Sequence, residues 1–255
     1  MSQTDAHRYL PAPGVMQGRV TLITGASGGI GRAVALAIAA HGGTVLLLGR
    51  AVAEIEKLHD EILALGGPTP AIVPFDLERA GPDQYAAVEA AIGRTYGRLD
   101  GLLHNAALVG ARTPIEQLDV PTWSRVLHVN LTAPLILTQA CLKWLRRSTD
   151  ASIVFTTCDV GRRPRAYWGA FAVSKFAGEG LRALLADELT SSPGIRVNSI
   201  DPGPVRTRQR LATFPGAVPD GLAQPAEVVG PYLFLLGPAS RGITGQLFTA
   251  QAGDP

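Results

Sequence analysis

Short apolar runs alternate with longer stretches whose apolar positions recur every three or four residues. Arg19-Val20-Thr21-Leu22-Ile23-Thr24 is rich in β-branched residues and stops at a glycine. Such a run reads as a strand. Ile30 to Ala40 is Ala-rich and favours helix, closing at His41-Gly42-Gly43. Thr44 to Leu48 predicts a second strand, and Val52 to Leu65 an amphipathic helix stopped by Gly66-Gly67-Pro68. Ala71 to Phe75 predicts a third strand and Pro82 to Gly93 a further helix. Leu99 to Leu103, Ala151 to Thr156, Ile195 to Ile200 and Gln246 to Thr249 supply four more strands. Long helical patterns occupy Pro121 to Arg147 and Ala170 to Thr190.

Strands alternating with helices predict a parallel sheet covered on both faces. Seven strands suit a doubly wound, Rossmann-type α/β fold in a single domain. Residues 18–255 form that domain, and residues 1–17 an N-terminal extension. The stretch from Thr207 to Pro225 is rich in Pro, Gly and Ala and lacks periodicity. It reads as a substrate loop or lid.

Composition narrows the classes. Hydrophobic content of 46% with 17% charged residues describes a soluble globular chain. A net charge of +2 gives no basis for a nucleic-acid or membrane partner. No apolar stretch approaches the ~18 residues that span a bilayer, and the first residues resemble neither a signal peptide nor an anchor. Two cysteines, Cys141 and Cys158, suggest a reducing compartment, the cytoplasm, rather than a disulfide framework.

Thr24-Gly25-Ala26-Ser27-Gly28-Gly29-Ile30-Gly31 follows the first strand and opens the first helix. Small residues there let the backbone approach a pyrophosphate, and free amides at the helix N-terminus bind its charge. Gly25, Ser27, Gly28, Ile30 and Gly31 are therefore cofactor-binding candidates. The second strand ends at Gly49-Arg50, with no acid before Glu54. An arginine here accommodates a 2′-phosphate where an acid would bond a free ribose hydroxyl. Arg50 thus selects NADP(H), unless it is simply a solvated surface arginine.

The spacing T-G-x-x-x-G-x-G resembles the fingerprint of the short-chain dehydrogenase/reductase family, and the resemblance covers nearly the whole chain. It implies that Asp76 and Leu77 flank the adenine, and that Asn105 and Ala106 of His104-Asn105-Ala106-Ala107 line the cofactor. His104 departs from the family's asparagine and reads as a packed structural residue. Asn130 matches the asparagine that holds a water against the active-site lysine, here Lys175, which also holds the ribose. Pro202, Gly203 and Val205 match the turn at the nicotinamide end, where Asp201 is unusual. Arg112 to Leu118 and Tyr167-Trp168-Gly169-Ala170 are similar to the YciK-type bacterial branch. The two long helical segments match those of the family's four-helix dimer contact, which implies a homodimer or homotetramer acting on a small-molecule substrate. Their Ala, Leu and Phe positions equally suit internal packing.

Family members reduce a carbonyl with a Tyr hydroxyl as proton donor, four residues before the Lys, and a Ser thirteen residues before that Tyr. Here those positions hold Phe171 and Cys158, and Asp159 follows. A phenyl ring donates no proton, and a thiol is a weak donor. Three readings stay open. The substrate is an iminium or other activated C=X bond that needs no acid, with Asp159 stabilising its charge. Alternatively, Tyr167, Cys158 or Asp159 replaces the acid, Tyr167 only if its stretch is helical. Otherwise the chain binds NADPH as a catalytically weak sensor, scaffold or subunit.

Overall fold

The computed structural model describes residues 6–192, 194–216 and 218–252. Its centre is a seven-stranded sheet in which all pairings are parallel. The strands are β1 (Val20–Thr24), β2 (Thr44–Gly49), β3 (Ala71–Pro74), β4 (Gly101–His104), β5 (Ala151–Thr156), β6 (Ile195–Asp201) and β7 (Leu247–Thr249). Their order across the sheet is β3-β2-β1-β4-β5-β6-β7. The chain therefore winds outward from β1 in both directions, and the Rossmann-type arrangement read from the strand pattern is present.

Alternation along each strand sends side chains to two cores. Leu22, Leu46, Leu102, Ile153 and Val197 join one. Ile23, Leu47, Leu103, Val154 and Ile200 join the other. Register matches like with like, pairing Leu22 with Leu46 and Leu102 on either side. Buried on both faces, most of the strands read as apolar runs, as parallel sheets favour; β6 is the exception, burying Arg196, Asn198, Ser199 and Asp201. Helices α1 (Gly29–Ala40) and α2 (Val52–Ala64) cover one face. Helices α3 (Pro82–Thr95), α5 (Ala133–Leu145) and α6 (Gly169–Glu188) cover the other.

Three features depart from the pattern-based reading. The segment 121–147 is not one helix. It divides into α4 (Val120–Leu127), a π-helical turn at His128–Thr132, and α5. Pro134 has no N–H to give to the Asn130 carbonyl four residues earlier. The amide of Ala133 instead reaches back five residues to the His128 carbonyl. Second, the stretch 207–225 contains a short helix, α7 (Arg208–Thr213). The Thr207 hydroxyl caps it by accepting from the Arg210 amide at 3.1 Å. Third, the pattern gave no sign of α8 (Val229–Leu236). Its residues Tyr232 to Leu236 are all buried, so it has no polar face to reveal a helical period. Residues 6–16 pack over it. Tyr9 lies 5.3 Å from the Phe234 ring, and a Cβ on Gly230 would meet the Tyr9 carbonyl at 2.4 Å.

Candidate active site

The strand ends that follow β1 to β6 all open on one edge of the sheet, and the predicted site residues gather there. Gly25 has φ +68°, and the amides of Gly25 and Ala26 both reach the Leu48 carbonyl. A Cβ on Gly31 would lie 2.4 Å from the Gly25 carbonyl and 2.7 Å from the Asn105 side-chain nitrogen. Only glycine fits, because turn and helix touch. At the N-cap, Gly28 has open space where a Cβ would stand and no side-chain acceptor for the first-turn amides. The first turn also contains no acid. Unpaired amides, open space above them and no competing carboxylate fit the pyrophosphate of a dinucleotide. Ser27 and Ile30 flank this opening, both half-buried.

Thr24 ties this turn to the next. Its hydroxyl donates to the Leu103 carbonyl at 3.2 Å and accepts from the Asn105 and Ala106 amides at 2.9 and 3.1 Å. The Asn105 side chain adds a bond to the Thr24 carbonyl at 3.3 Å. Beside it, Arg50, Pro74, Phe75, Asp76, Ala80 and Gln84 line a cleft of about 340 Å³. Arg50 is exposed over this cleft, while Leu77 is buried in the core and is not among the residues that line it. An arginine and a carboxylate on one cleft suit the phosphorylated ribose and adenine predicted for them.

At the other end, α6 carries Phe171, Ser174 and Lys175 on successive turns. The Lys175 ammonium donates to the Thr156 carbonyl at 2.8 Å and lies 5.6 Å from the centre of the Phe171 ring. Burial lowers its pKa, with Cys158, Glu179 and Asp201 opposing the shift. Gly161 permits this placement, since a Cβ there would meet the Lys175 Cβ at 2.9 Å. Asn130 is held in the π turn. Its side chain accepts from the Leu108 amide at 2.7 Å, and donates to the Leu108 carbonyl and the Ser174 hydroxyl, both at 2.9 Å. Ser174 in turn donates to the Phe171 carbonyl at 2.7 Å. The irregular turn is thereby pinned to the helix that bears Lys175. Nothing in the sequence marked Ser174, because its role exists only through the crossing of two helices.

Cys158 sits at the end of β5 in one apolar cluster with Phe171, Trp168 and Phe214. Burial raises its thiol pKa, and nearby Lys175 opposes that only in part. The Asp159 carboxylate is engaged, accepting from the Val160 amide at 2.8 Å and pairing with Arg165. Tyr167 lies outside α6 with φ +72° and is 56% exposed, so the helical condition attached to it is not met. Asp201 is buried and has clear work. It accepts from the Gly203 amide at 2.9 Å and pairs with Arg162 at 2.8 Å. The turn it braces is crossed by Gln251, which donates to the Pro202 carbonyl at 2.7 Å. Val205 is buried and bridges to Ala223.

His104 is the packed residue expected of it. It bonds Thr138 at 2.9 Å and lies 4.7 Å from the Phe155 ring. Burial pushes its pKa down to about 3, so the ring is neutral at physiological pH. Its Nδ1 has no hydrogen-bond partner. His104, Asn130, Thr157, Ser174 and Lys175 share the lining of a cavity of about 20 Å³, room for one water.

Comparison with known proteins agrees with this geometry. The family model described as short chain dehydrogenase matches residues 19–215. The uncharacterised oxidoreductase YciK of Escherichia coli K12 is 41% identical over 245 residues, covering 96% of each chain. A short chain dehydrogenase structure from Pseudomonas syringae is 48% identical with a TM-score of 0.92, over 95% of this chain and 99% of that one. One from Escherichia coli CFT073, solved in complex with NADPH, is 41% identical with a TM-score of 0.91, over 94% of this chain and 100% of that one. Among the described residues no helix is long and apolar enough to cross a membrane, and no cluster of side chains is built to hold a metal. With the glycine cradle, the parallel sheet and relatives of this identity in agreement, the chain belongs to the short-chain dehydrogenase/reductase family and is an oxidoreductase of the YciK-like kind.

Proposed function

We propose that the chain is an NADPH-dependent oxidoreductase acting on an iminium or another activated C=X bond, with Cys158 and Phe171 where its family carries Ser and Tyr. The carrying observation is Lys175, half-buried and bonded to Thr156, whose ammonium faces a phenyl ring at 5.6 Å instead of a phenol. The solved relative with NADPH supports the cofactor, as do the open helix terminus and Arg50. When bound, NADPH supplies a hydride to the carbon of C=N⁺, leaving an amine and NADP⁺ with no proton drawn from the protein.

The protein's contribution is then shape and field. The Phe171 ring lies against the Lys175 ammonium, and an aromatic face favours a cationic centre. Burial lowers the pKa of Lys175. Burial likewise keeps Cys158 a neutral thiol. Asp159 is committed to Arg165, so the ring of Phe171 is the better candidate for stabilising charge. A second reading, NADPH binding without turnover as sensor, scaffold or subunit, draws on the same loss of an acid. We further propose a cytoplasmic homodimer or homotetramer joined through α5 and α6. Exposed Val173, Phe176 and Leu184 on α6, and two free cysteines, support this.

The test starts with titration by NADPH and NADH, followed by assays on cyclic imines and simple ketones. Tighter NADPH binding and imine reduction with poor ketone reduction are expected. Phe171→Tyr should raise ketone reduction by ~10²–10⁴-fold, the usual scale of general acid catalysis. Efficient ketone reduction by the native protein, unchanged in Phe171→Tyr, would sink the proposal. Bound NADPH with no turnover of either class would favour the second reading.

A further inference from the structure

Three segments near Phe171 each present an arginine: Arg112 after β4, Arg165 before α6, and Arg210 on α7. Arg112 stacks 4.8 Å from the centres of both the Trp168 and Phe214 rings, and donates to the Thr213 carbonyl at 3.1 Å. Arg210 stacks 4.0 Å from the Phe214 ring. The aromatic ledge continues inward, since Trp168 lies 5.7 Å from Phe214 and 5.6 Å from Phe171. Cationic entrance and reacting end are thus joined by one apolar strip.

Surface arginines are ordinarily solvated and need no ligand. This group differs in two respects. Stacking fixes the guanidinium planes, which leaves their N–H edges to receive a flat, bidentate acceptor. Second, Arg210 Nε is buried with no hydrogen-bond partner. Such an orphan donor costs free energy unless something accepts from it. The neighbourhood supplies too little negative charge. Burial lowers the Arg210 pKa, Arg165 and Arg112 lower it further, and Asp159 opposes them. That carboxylate is already paired with Arg165. Three guanidinium groups therefore face one carboxylate.

We infer that the substrate carries an anionic group, a carboxylate or a phosphate, which Arg112 and Arg210 hold at the mouth while its apolar part lies along Trp168 and Phe214 toward Phe171. This rests on the reductase reading and adds the substrate's chemical class to it. The recognised group sits away from the reacting bond, so its role is affinity and orientation.

The experiment uses the protein saturated with NADPH and reads the fluorescence of the bound cofactor, which needs no turnover. Oxo acids of increasing chain length are compared with their methyl esters, and hydroxy-ketone phosphates with the parent hydroxy ketones. Some acid or phosphate is expected to bind at least ~10-fold tighter than its neutral partner, the scale of one charge-assisted hydrogen bond. The two arms decide between carboxylate and phosphate. Arg112→Gln/Arg210→Gln should erase the preference, Arg112→Lys should keep part of it, and NADPH affinity should not move. The exposed single variant Arg112→Gln serves if the double variant folds poorly. No preference for charge on the NADPH-loaded protein, or a preference that survives Arg112→Gln/Arg210→Gln, overturns the inference and leaves the reductase reading standing. Failure of the native protein to bind NADPH removes both.

Discussion

Where the strands begin, Asp150 collects three arginines: Arg19 at 3.0 Å, Arg196 at 3.1 Å and Arg241 at 3.4 Å. Asp100 accepts from the Val20 amide at 2.8 Å, from Ser148 at 2.6 Å and from Arg98 at 3.1 Å. Arg196 also donates to the Leu235 and Gly237 carbonyls. One Arg19 nitrogen lacks a partner, yet its two terminal nitrogens are bonded. Where the strands end, polar atoms are buried without such care. His104 Nδ1, Thr157 Oγ1, Arg162 Nη1 and Arg210 Nε have no partner. Both edges of the sheet bury charge. At the first, Arg19 Nε, Thr21 Oγ1 and Trp144 Nε1 lack a partner but the carboxylates of Asp100 and Asp150 are saturated, whereas at the second the unpartnered atoms belong to residues beside the proposed site. Saturated polar networks rigidify a fold, while each buried group without a partner calls for its own explanation.

The largest expected effect falls on the first edge. Asp150→Ala strips the acceptor from two buried guanidinium groups and should lower stability by about 3–5 kcal/mol. Chemical denaturation measures this. NADPH affinity should be unchanged while the protein stays folded, and a parallel loss of cofactor binding would erase the distinction between the edges.

On the second edge the losses should be in binding. Arg50→Gln should weaken NADPH roughly 10-fold and leave NADH nearly untouched, because one charge-assisted contact to the 2′-phosphate is removed. Equal weakening of both cofactors in a titration would count against Arg50 as the selector.

An effect absent at neutral pH and felt only in acid concerns His104. Its folded pKa of about 3 lies below the ordinary 6.5. Below pH 6.5 the unfolded chain takes up a proton that the folded chain refuses. This contribution to stability is therefore full above pH 6.5 and declines as the pH falls toward 3, by about 1.4 kcal/mol per unit. Melting curves of the native protein and of His104→Asn should converge in slope above pH 6.5 and separate below it. Matching slopes throughout would mean that water reaches this histidine.

The strands and the glycine turn were legible because each depends on local rules. Alternation and β-branching make Leu22 and Ile23 a strand, and a turn that touches a helix must have glycine at position 31. Lys175 and the Phe171 position were read from the resemblance to the family's Tyr-x-x-x-Lys segment. What sequence could not supply was contact between distant segments. The buried α8 shows no period, since a helix apolar on every side has no face to reveal. The π turn is local, set by Pro134 four residues after Asn130, whereas Ser174 gains its role only where two helices cross. Asp201 looked anomalous until Arg162, from another loop, was found against it. The arginines at 112, 165 and 210 are unremarkable along the chain and become a mouth only when three loops meet. Local propensity and steric limits are written residue by residue, whereas burial and pairing are properties of the assembled sheet.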